Sequence, residues 1–392
     1  MEPKKIILWG GWYGSRNVGD QALLLAITDL LGETYPDAHF TALTARPAHV
    51  CSYAARDSRL DIRAINTRLE FPRVVRAFTQ SDLFIFGGAV PFFEYPPQVL
   101  AMVVLTALAR LFRVPYFLWS VSSQRVTSRL AKRVFGWVLD GASGVTYRDE
   151  FTRRLFLDCG LPDERMSLGG DSALLMHTAP AESALDLLER AGWRTGGRPL
   201  VALTPRTLRP ADGEAETHYT PKTSLQYQQE IDVYAAVLDD LWEHGFQPLF
   251  VPMNTVAPDD DREAARCIMQ KARHGAQALI VDEEIPPRLA AAVYAHCRAS
   301  LVSRVHGSIM SFKANCPVMM YAFDQKHIGI MTEMGLAEFI FHPETDDAAR
   351  ASEMLLRLLS DPQSARADLA RRLEIAAQKS LHPLLLALEL LS

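Results

Sequence analysis

Short hydrophobic runs alternate with helix-length segments along most of the chain. Three of the clearest runs are KIILWG (5–10), SDLFIFGG (81–88) and VPYFLWSVS (114–122). They lack the polar alternation of a strand with one solvated face, so they predict strands that are buried on both faces. Strands that alternate with helices in this way form parallel sheets with helices on both sides. The pattern therefore predicts an α/β fold.

A polar segment near the middle of the chain divides this pattern into two series. HTAPAESALDLLERAGWRTGGRP (177–199) contains several Gly, Pro and charged residues, which is typical of a domain boundary. We expect an N-terminal Rossmann-like domain over 1–176, a linker over 177–198 and a second Rossmann-like domain over 199–345, with the two domains facing each other across a cleft. The remaining residues, 346–392, predict helices that pack back across the boundary.

Composition and charge narrow the class of protein. The chain has 392 residues and a formal net charge of −5, which gives no electrostatic reason to expect nucleic-acid binding. Its 5 cysteines are scattered without a C-x-x-C pair, so we expect a reducing cytosol and neither a disulfide framework nor a zinc site. No signal peptide is visible, and the most hydrophobic run, VLAMVVLTALARLF (99–112), is too short to cross a bilayer. We expect this run to be a buried helix, with docking against a membrane as the alternative.

The loop GSRNVGD (14–20) has the glycine spacing of a phosphate-binding P-loop. A P-loop continues with Lys and then Ser or Thr, whereas this loop continues with Asp20, whose carboxylate would repel a phosphate. Nucleotide binding in the P-loop manner is therefore not expected. Asp20 is expected either to cap the following helix or to accept a hydrogen bond from a sugar hydroxyl. Arg16 and Asn17 are candidate ligands for a polar substrate at the same helix end.

Further candidates follow predicted strands, because ligands of open parallel sheets bind beyond the carboxyl ends of the strands. In FGGAVPFFEY, the paired glycines Gly87 and Gly88 allow a ligand to approach the backbone closely. Arg148, in TYRDEFTRRL, is suited to bidentate contact with a phosphate or carboxylate, and a structural salt bridge with Asp149 is the alternative. Arg206 and Arg209, in LTPRTLRP, are candidates by the same reasoning.

The segment with most polar candidates is SRVHGSIMSFKANCPVMMYAFDQKH (303–327). A strand is predicted to end at Arg304 and His306, alternate residues that would point the same way. A helix is predicted to open at Gly307 and Ser308, where backbone amides attract an anion. A second strand then ends at a further polar group, which comprises Asp324, Lys326 and His327.

Together these motifs resemble the polysaccharide pyruvyl transferase family. The segments that carry the resemblance are, in chain order, SRNVGDQALLLAI, DLFIFGG, YRDEFTRRLFLDCGL, GGDSALL and SRVHGSIMSFKANCPVMMYAFDQKH. The resemblance implies a two-domain GT-B-like fold. It also implies transfer of the pyruvyl group of phosphoenolpyruvate to two sugar hydroxyls, which forms a cyclic ketal and releases phosphate. Two features depart from the family pattern: Gln325 stands where D-P-K is commoner, and the strand FLWSVSSQ lacks a glycine-rich end.

The resemblance implies a role for each candidate residue. His306 is expected to be the general acid that protonates the methylene carbon, since histidine titrates near neutral pH, and Asp20 is the candidate base. Clustered cations and a helix end would bind phosphoenolpyruvate. The residues expected there are Arg148, Arg304, Lys326, Gly307 and Ser308. Those expected to contact the acceptor are Arg16, Asn17, Gly87 and Gly88. Weaker candidates for either substrate are Arg206, Arg209, Asp324 and His327.

The resemblance also implies partners and location. The acceptor is expected to be a sugar of a polysaccharide or its precursor, and neither a metal nor a cofactor is expected. A cytoplasmic enzyme is expected, and a lipid-linked acceptor would bring it to the inner face of the membrane in peripheral contact. Two alternatives stay open: a GT-B glycosyltransferase that uses a nucleotide sugar, and a non-catalytic sugar- or anion-binding protein. Neither the acceptor sugar nor the oligomeric state can be read from the residues.

Overall fold

The computed structural model describes residues 3–10, 12–54, 62–88, 90–206, 224–257 and 259–392. The chain divides into two compact units, each built on a parallel sheet flanked by helices. The predicted α/β class, with two Rossmann-like domains, is therefore confirmed. The first unit comprises Met1–Ser15, Asp20–His177 and Ala377–Ser392, and the second comprises Arg16–Gly19 and Thr178–Ala376.

The first unit is a doubly wound sheet. In chain order its elements are β1 (Lys5–Trp9), α1 (Val18–Thr34), β2 (His39–Thr44), α2 (Pro47–Ala54), β3 (Ile62–Asn66), α3 (Phe71–Phe78), β4 (Leu83–Gly87), α4 (Pro96–Leu111), β5 (Tyr116–Val121), α5 (Arg129–Asp140), β6 (Gly144–Tyr147), α6 (Glu150–Asp158), β7 (Ser167–Leu168) and α15 (His382–Leu391). Its described strands lie in the order β3-β2-β1-β4-β5-β6-β7, and every pair is parallel. The strand order reverses between β1 and β4, which is where ligands bind in such sheets.

The second unit repeats this design with a smaller sheet. Its elements are α7 (Leu185–Arg190), β8 (Leu200–Thr204), α8 (Ser224–Glu243), β9 (Gln247–Phe250), α9 (Asp261–Lys271), β10 (Leu279–Ile280), α10 (Pro287–Ala295), β11 (Cys297–Val302), α11 (Val305–Lys313), β12 (Val318–Tyr321), α12 (Gln325–Glu333), β13 (Ile340–Phe341), α13 (Ala348–Ser360) and most of α14 (Pro362–Ser380). The described strands are parallel in the order β10-β9-β8-β11-β12-β13. The carboxyl ends of these strands therefore meet at one edge of the sheet.

Hydrophobic side chains cover both faces of the first sheet. One face packs beneath α3 to α6, where the ring of Phe92 lies 5.2 Å from that of Phe135 and 4.9 Å from that of Phe156. The other face packs against α1 and against α15, at the end of the chain. Burial on both faces explains why strands such as β4 contain no alternating polar residues.

Three predictions about organisation differ from the structure. The predicted linker is folded, because residues from Thr178 onward belong to the second unit and include α7. The short strands β3 and β13 were not predicted. The hydrophobic helix predicted to be buried is α4, and it is buried on one side only, since 64% of Leu100 and 71% of Leu111 remain exposed. Among the helices of the described ranges, none has the length and hydrophobicity needed to cross a membrane.

Candidate functional site

The carboxyl edge of the second sheet gathers most of the predicted residues. Arg206 follows β8, while Arg304 and His306 follow β11. Lys326 and His327 follow β12, the neighbour of β11. Arg209 lies outside the described residues.

Arg304 is the most tightly held residue at this edge. Its Nε donates to both carboxylate oxygens of Asp261 at 3.1 Å, and Nη1 donates to Oδ2 of Asp259 at 2.9 Å. Nη2 donates to the carbonyl of Asp259 at 3.2 Å. The side chain is only 8% exposed and that of Asp261 is 1% exposed. Burial is the main influence that raises the pKa of Asp261, and the Arg304 guanidinium opposes it.

These contacts revise the prediction that Arg304 binds the substrate. All three guanidinium nitrogens already bond to protein oxygens, and the positive charge is balanced by two aspartates. Arg304 is also not the end of a strand, because β11 ends at Val302 and Arg304 caps α11 from an extended conformation. Its role in the structure is to fix the start of that helix.

Helix α11 therefore begins two residues earlier than the sequence suggested. His306 is its second residue rather than the end of a strand, and its side chain is half-buried. Ser308 is fully buried, its amide donates to the carbonyl of Arg304 and its hydroxyl donates to that of Val305. Its predicted contact with an anion stays a prediction. In the described part of the chain, the backbone amides of Val305 and Gly307 have no acceptor. Such first-turn amides are the groups that bind anions.

Helix α12 follows β12, the strand next to β11, and its start resembles that of α11. Asp324 is the N-cap, and its carboxylate accepts from the amide of Lys326 at 3.3 Å. Lys326 is thus the second residue of α12, as His306 is of α11. His327 is 2% exposed, and its ring lies 4.5 Å from that of Phe323. The structure gives Asp324 a capping role and His327 a packing role, and their predicted contacts with a substrate stay predictions.

Arg206 is part of the same balanced cluster of charges. Its Nη2 lies 3.8 Å from Oδ2 of Asp259, and its guanidinium stacks 5.7 Å from the ring centroid of Phe323. Its amide donates to the buried carboxylate of Glu230 at 3.1 Å. Arg206 and Arg304 therefore share Asp259, which lowers the capacity of either to attract a further anion.

The segment Arg16–Gly19 belongs to this second unit. The amide of Val18 donates to the carbonyl of Met253 at 2.8 Å, and Asn17 pairs with Asn254 in an antiparallel bridge. The side chain of Asn17 caps α1, because its Oδ1 accepts from the amide of Gly19 at 2.8 Å. The Arg16 side chain, which is 54% exposed, pairs with Glu284 at 3.4 Å. Arg16 and Asn17, two of the residues predicted to contact the acceptor, thus have contacts within the protein.

Gly19 packs directly against the imidazole of His306. A methyl group built on Gly19 would lie 2.0 Å from Nδ1 and 2.2 Å from Cγ of that ring, so no larger residue fits without moving it. The loop that holds Gly19 is tied back to Arg304 as well, since Asp261 accepts from the amides of Met253 and Asn254 at 3.0 Å each. This ring of contacts explains the glycine of the P-loop-like pattern without any phosphate.

In the first unit, Asp20 lies in the first turn of α1. Its Oδ2 accepts from the hydroxyl of Ser15 at 2.8 Å, and it is 9% exposed. A carboxylate in the first turn is also stabilised by the helix dipole. Together with burial, the charge of Asp20 raises the pKa of Tyr13. The side chain that caps α1 is that of Asn17, so both roles predicted for Asp20, of cap and of base, stay predictions.

The paired glycines after β4 are packed against protein groups. The hydroxyl of Tyr13 donates to the carbonyl of Gly87 at 3.0 Å, and a methyl group on Gly87 would lie 2.2 Å from that hydroxyl. Gly88 has a φ of +62°, a conformation that side chains rarely adopt, and a methyl group there would meet Leu23 at 2.9 Å. Tyr13 and Leu23 approach these glycines closely, and the predicted contact of Gly87 and Gly88 with the acceptor stays a prediction.

Arg148 follows β6, and its side chain is 12% exposed. Its Nη2 lies 2.5 Å from Oδ2 of Asp171, whereas Asp149 caps α6 and accepts from the hydroxyl of Ser122. Arg148 thus forms a salt bridge, but its partner is Asp171 and not the Asp149 of the predicted alternative. The prediction that Arg148 meets His306 and Lys326 at one site stays a prediction, because the residues belong to different units.

The sequence reasoning missed four residues that organise these sites. Asp259, Asp261 and Asp171 each pair with a predicted arginine, and their partners are distant in sequence, so no local pattern reveals the pairing. Ser120, in β5, has a φ of +46°, its amide donates to Thr146 and its hydroxyl donates to the carbonyl of Gly169. The one signal for it was the absence of the glycine-rich end that the family often has after this strand. Within the described ranges, no group of three His, Cys, Asp or Glu residues is arranged to hold a metal ion.

Comparison with known families decides where the chain belongs. The family model described as polysaccharide pyruvyl transferase matches residues 17–325, a span that includes Gly19, Arg148, His306 and Gln325. The chain belongs to the polysaccharide pyruvyl transferase family. This confirms the resemblance found in the sequence.

One curated relative and two solved structures are similar to this chain. Amylovoran biosynthesis protein AmsJ of Erwinia amylovora is 20% identical over 210 residues, which are 53% of this pyruvyl transferase homologue and 48% of AmsJ. The chain thus spans about half the length of the curated relative it matches. Alr3699/HepE of Anabaena, solved in complex with UDP-glucose, has a TM-score of 0.62 at 13% identity, with 98% of each chain covered. UDP-GlcNAc 2-epimerase of Neisseria meningitidis, bound to UDP-GlcNAc, has a TM-score of 0.58 at 8% identity, with 96% and 99% covered. At these identities the two structures show a shared GT-B-like fold alone.

Substitution of Asp261 by Ala is expected to destabilise the protein by about 3 kcal/mol, because it leaves the buried Arg304 guanidinium with one carboxylate fewer. The matched control is Asp158→Ala, which removes an exposed partner of Lys132 at 2.7 Å and is expected to cost less than about 1 kcal/mol. Urea unfolding followed by tryptophan fluorescence measures both variants. Equal losses in the two variants would contradict this assignment.

Substitution of Gly19 by Ala is expected to displace the His306 ring and to lower the melting temperature, because the new methyl group overlaps the imidazole. The control is Gly32→Ala in the same helix, where nothing lies within 4 Å of an added methyl group and Ala is expected to stabilise the helix by about 0.5–1 kcal/mol. Imidazole resonances of His306 in ¹⁵N NMR spectra report the displacement. Unchanged resonances in Gly19→Ala would show that the packing is wrong.

Proposed function

We propose that this protein transfers the pyruvyl group of phosphoenolpyruvate to two hydroxyls of a sugar in a polysaccharide or its precursor. Family membership supports a transferase of polysaccharide biosynthesis. One observation carries the assignment of residues. His306 and Lys326 occupy the second positions of helices that follow adjacent strands, so an acid–base group and a cation stand at the same sheet edge.

Phosphoenolpyruvate has a phosphate and a carboxylate on three carbons, so its site must stabilise a compact multiple anion. We propose that the amides of Val305 and Gly307 and the ammonium group of Lys326 do so. Arg304 contributes by fixing the start of α11, where those amides lie. Arg148 stays a predicted further ligand, which would have to exchange Asp171 for the substrate.

The proposed reaction begins with proton transfer from His306 to the methylene carbon of phosphoenolpyruvate. This step leaves an oxocarbenium-like centre at C2, which the first sugar hydroxyl attacks as it loses its proton to a base. The C2–O bond to phosphate then breaks, phosphate leaves, and the second hydroxyl attacks C2 to close the ketal ring. The second hydroxyl proton leaves with the departing phosphate or with the base. The reaction as written changes no oxidation state of the enzyme and calls for no redox cofactor.

Asp20 is the proposed base for the sugar hydroxyls. The hydroxyl of Ser15 donates to Asp20, which holds the carboxylate in one orientation. A precursor carried on a lipid would supply the acceptor at a membrane surface, and we include such lipid-linked sugars among the acceptors to be tested.

Calorimetric titration tests the donor site directly. The unmodified protein is expected to bind phosphoenolpyruvate, and Lys326→Ala is expected to weaken that binding about 10- to 100-fold, since a charge-assisted hydrogen bond is lost. Lys132→Ala, on the first unit and paired with Asp158, is the control and should bind normally. Stabilisation by UDP-glucose with no response to phosphoenolpyruvate would instead favour the glycosyltransferase alternative.

Phosphate release separates an enzyme from a binding protein. With a panel of methyl hexosides and a lipid-linked glycan extract as acceptors, His306→Ala is expected to lose about 10²- to 10⁴-fold of the rate while it still binds phosphoenolpyruvate. The exposed His244, at the end of α8, provides the control variant His244→Ala, which should keep full activity. Phosphate release that survives in His306→Ala would remove this residue from the mechanism.

A further inference from the structure

The outer surface of α4 and α5 exposes large hydrophobic side chains. Leu100 and Leu111 on α4 are 64% and 71% exposed, and Leu130 and Trp137 on α5 are 70% and 38% exposed. Soluble proteins rarely expose contiguous apolar surface of this kind unless it makes a contact. The α4–α5 face, defined by these four residues and the cations beside them, therefore requires an explanation that the proposed reaction does not supply.

The exposed residues form one continuous surface. Counted from Leu100, the exposed Ala107 and Leu111 follow after seven and eleven residues. These spacings place all three on one side of a helix with 3.6 residues per turn. Arg110 joins the two helices, since its guanidinium lies 4.3 Å from the ring centroid of Trp137 and donates to the carbonyl of that residue. The apolar stripe of α4 thus continues onto Trp137 of α5.

This face is also cationic in a chain whose net charge is negative. Between residues 95 and 139 there is no Asp or Glu, while there are six cations. Lys132 pairs with Asp158, and Arg110 stacks on Trp137. In the part of the chain that the structure describes, no carboxylate pairs with the other four, which are exposed: Arg113, Arg125, Arg129 and Arg133.

We propose that the α4–α5 face docks on an anionic lipid bilayer. Exposed leucines and a tryptophan insert at the level of the lipid headgroups, and arginines beside them attract anionic headgroups while their stems cover apolar surface. A second copy of the chain fits poorly, because a twofold contact would place the same unpaired arginines opposite one another. The proposal concerns where the protein acts and holds whether or not the protein transfers pyruvyl groups.

Vesicle flotation of the full chain tests this docking. The unmodified protein is expected to float with phosphatidylcholine vesicles that contain phosphatidylglycerol and to float far less with phosphatidylcholine alone, and added salt should reduce the binding. The double variant Arg129→Gln and Arg133→Gln is expected to bind anionic vesicles about 25-fold more weakly, at about fivefold for each cation removed. Leu100→Glu with Leu111→Glu should abolish flotation.

A matched variant and a second measurement keep the result interpretable. Leu225, at the start of α8, and Ile375, in α14, are 77% and 57% exposed and lie in the second unit, so adding Ile375→Glu to Leu225→Glu places the same two charges elsewhere, and neither the single nor the double control should lose flotation. The melting temperature of Leu100→Glu with Leu111→Glu should match that of Leu225→Glu. If it is lower, the uncharged double variant Leu100→Gln with Leu111→Gln takes its place in the flotation experiment. Equal flotation on neutral and anionic vesicles, or no flotation at all, overturns the proposal. Conversion of a dimer into a monomer by Leu100→Glu with Leu111→Glu overturns it too, in favour of an interface between copies.

Discussion

The buried ion pair between Arg304 and Asp261 is the constraint on which the candidate site depends. A buried guanidinium is costly unless its donors are satisfied, and here two carboxylates and a carbonyl satisfy them. The pair fixes two things at once, because Arg304 precedes α11 while Asp261 also accepts from the amides of residues 253 and 254. Those two residues bond in turn to Asn17 and Val18, so the segment that presents Gly19 is held against the same helix whose second residue is His306. The ion pair therefore holds in place the helix that carries His306 and also the glycine against which its imidazole packs.

Charge balance at this edge changes how an anion would be held. The arginines that suggested a cationic cluster in the sequence are neutralised by Asp259 and Asp261, and burial of an unbalanced pair of arginines would have opposed folding. Attraction for an anion then depends on groups whose charge needs no counter-ion inside the protein. Helix-end amides are such groups, since their dipoles are oriented by the backbone and require no reorganisation when a ligand arrives. A site of this kind favours a compact anion seated on the first turn over a long chain of phosphates that needs several free cations.

Much of the fold was predictable, because strands buried on both faces leave a clear hydrophobic signal, and most strands were placed within a few residues. The starts of α11 and α12 were less accessible, since the sequence cannot distinguish a strand that continues through Arg304 from one that ends at Val302. The sequence indicated that these glycines allow close approach, but it did not indicate which groups approach them. Those groups are Tyr13, Leu23 and His306, each distant in sequence from the glycine that it contacts. Partners of buried arginines were missed for the same reason. Ser120 shows the converse case, in which a serine occupies a left-handed conformation that usually favours glycine.

The uneven distribution of charge adds an argument about orientation. The formal net charge is −5 over the chain and +6 over residues 95–139, so the remainder carries −11. An anionic surface repels a molecule with this net charge, but it also orients the molecule with its cationic side toward the surface. Within a Debye length of the surface, the charges of the nearest residues dominate the interaction. The apolar side chains of α4 then decide whether the contact persists, since their burial does not weaken with salt. In the docking that we propose, electrostatic attraction would select the side of the molecule and hydrophobic burial would retain it, and neither contribution alone would give a stable and oriented contact.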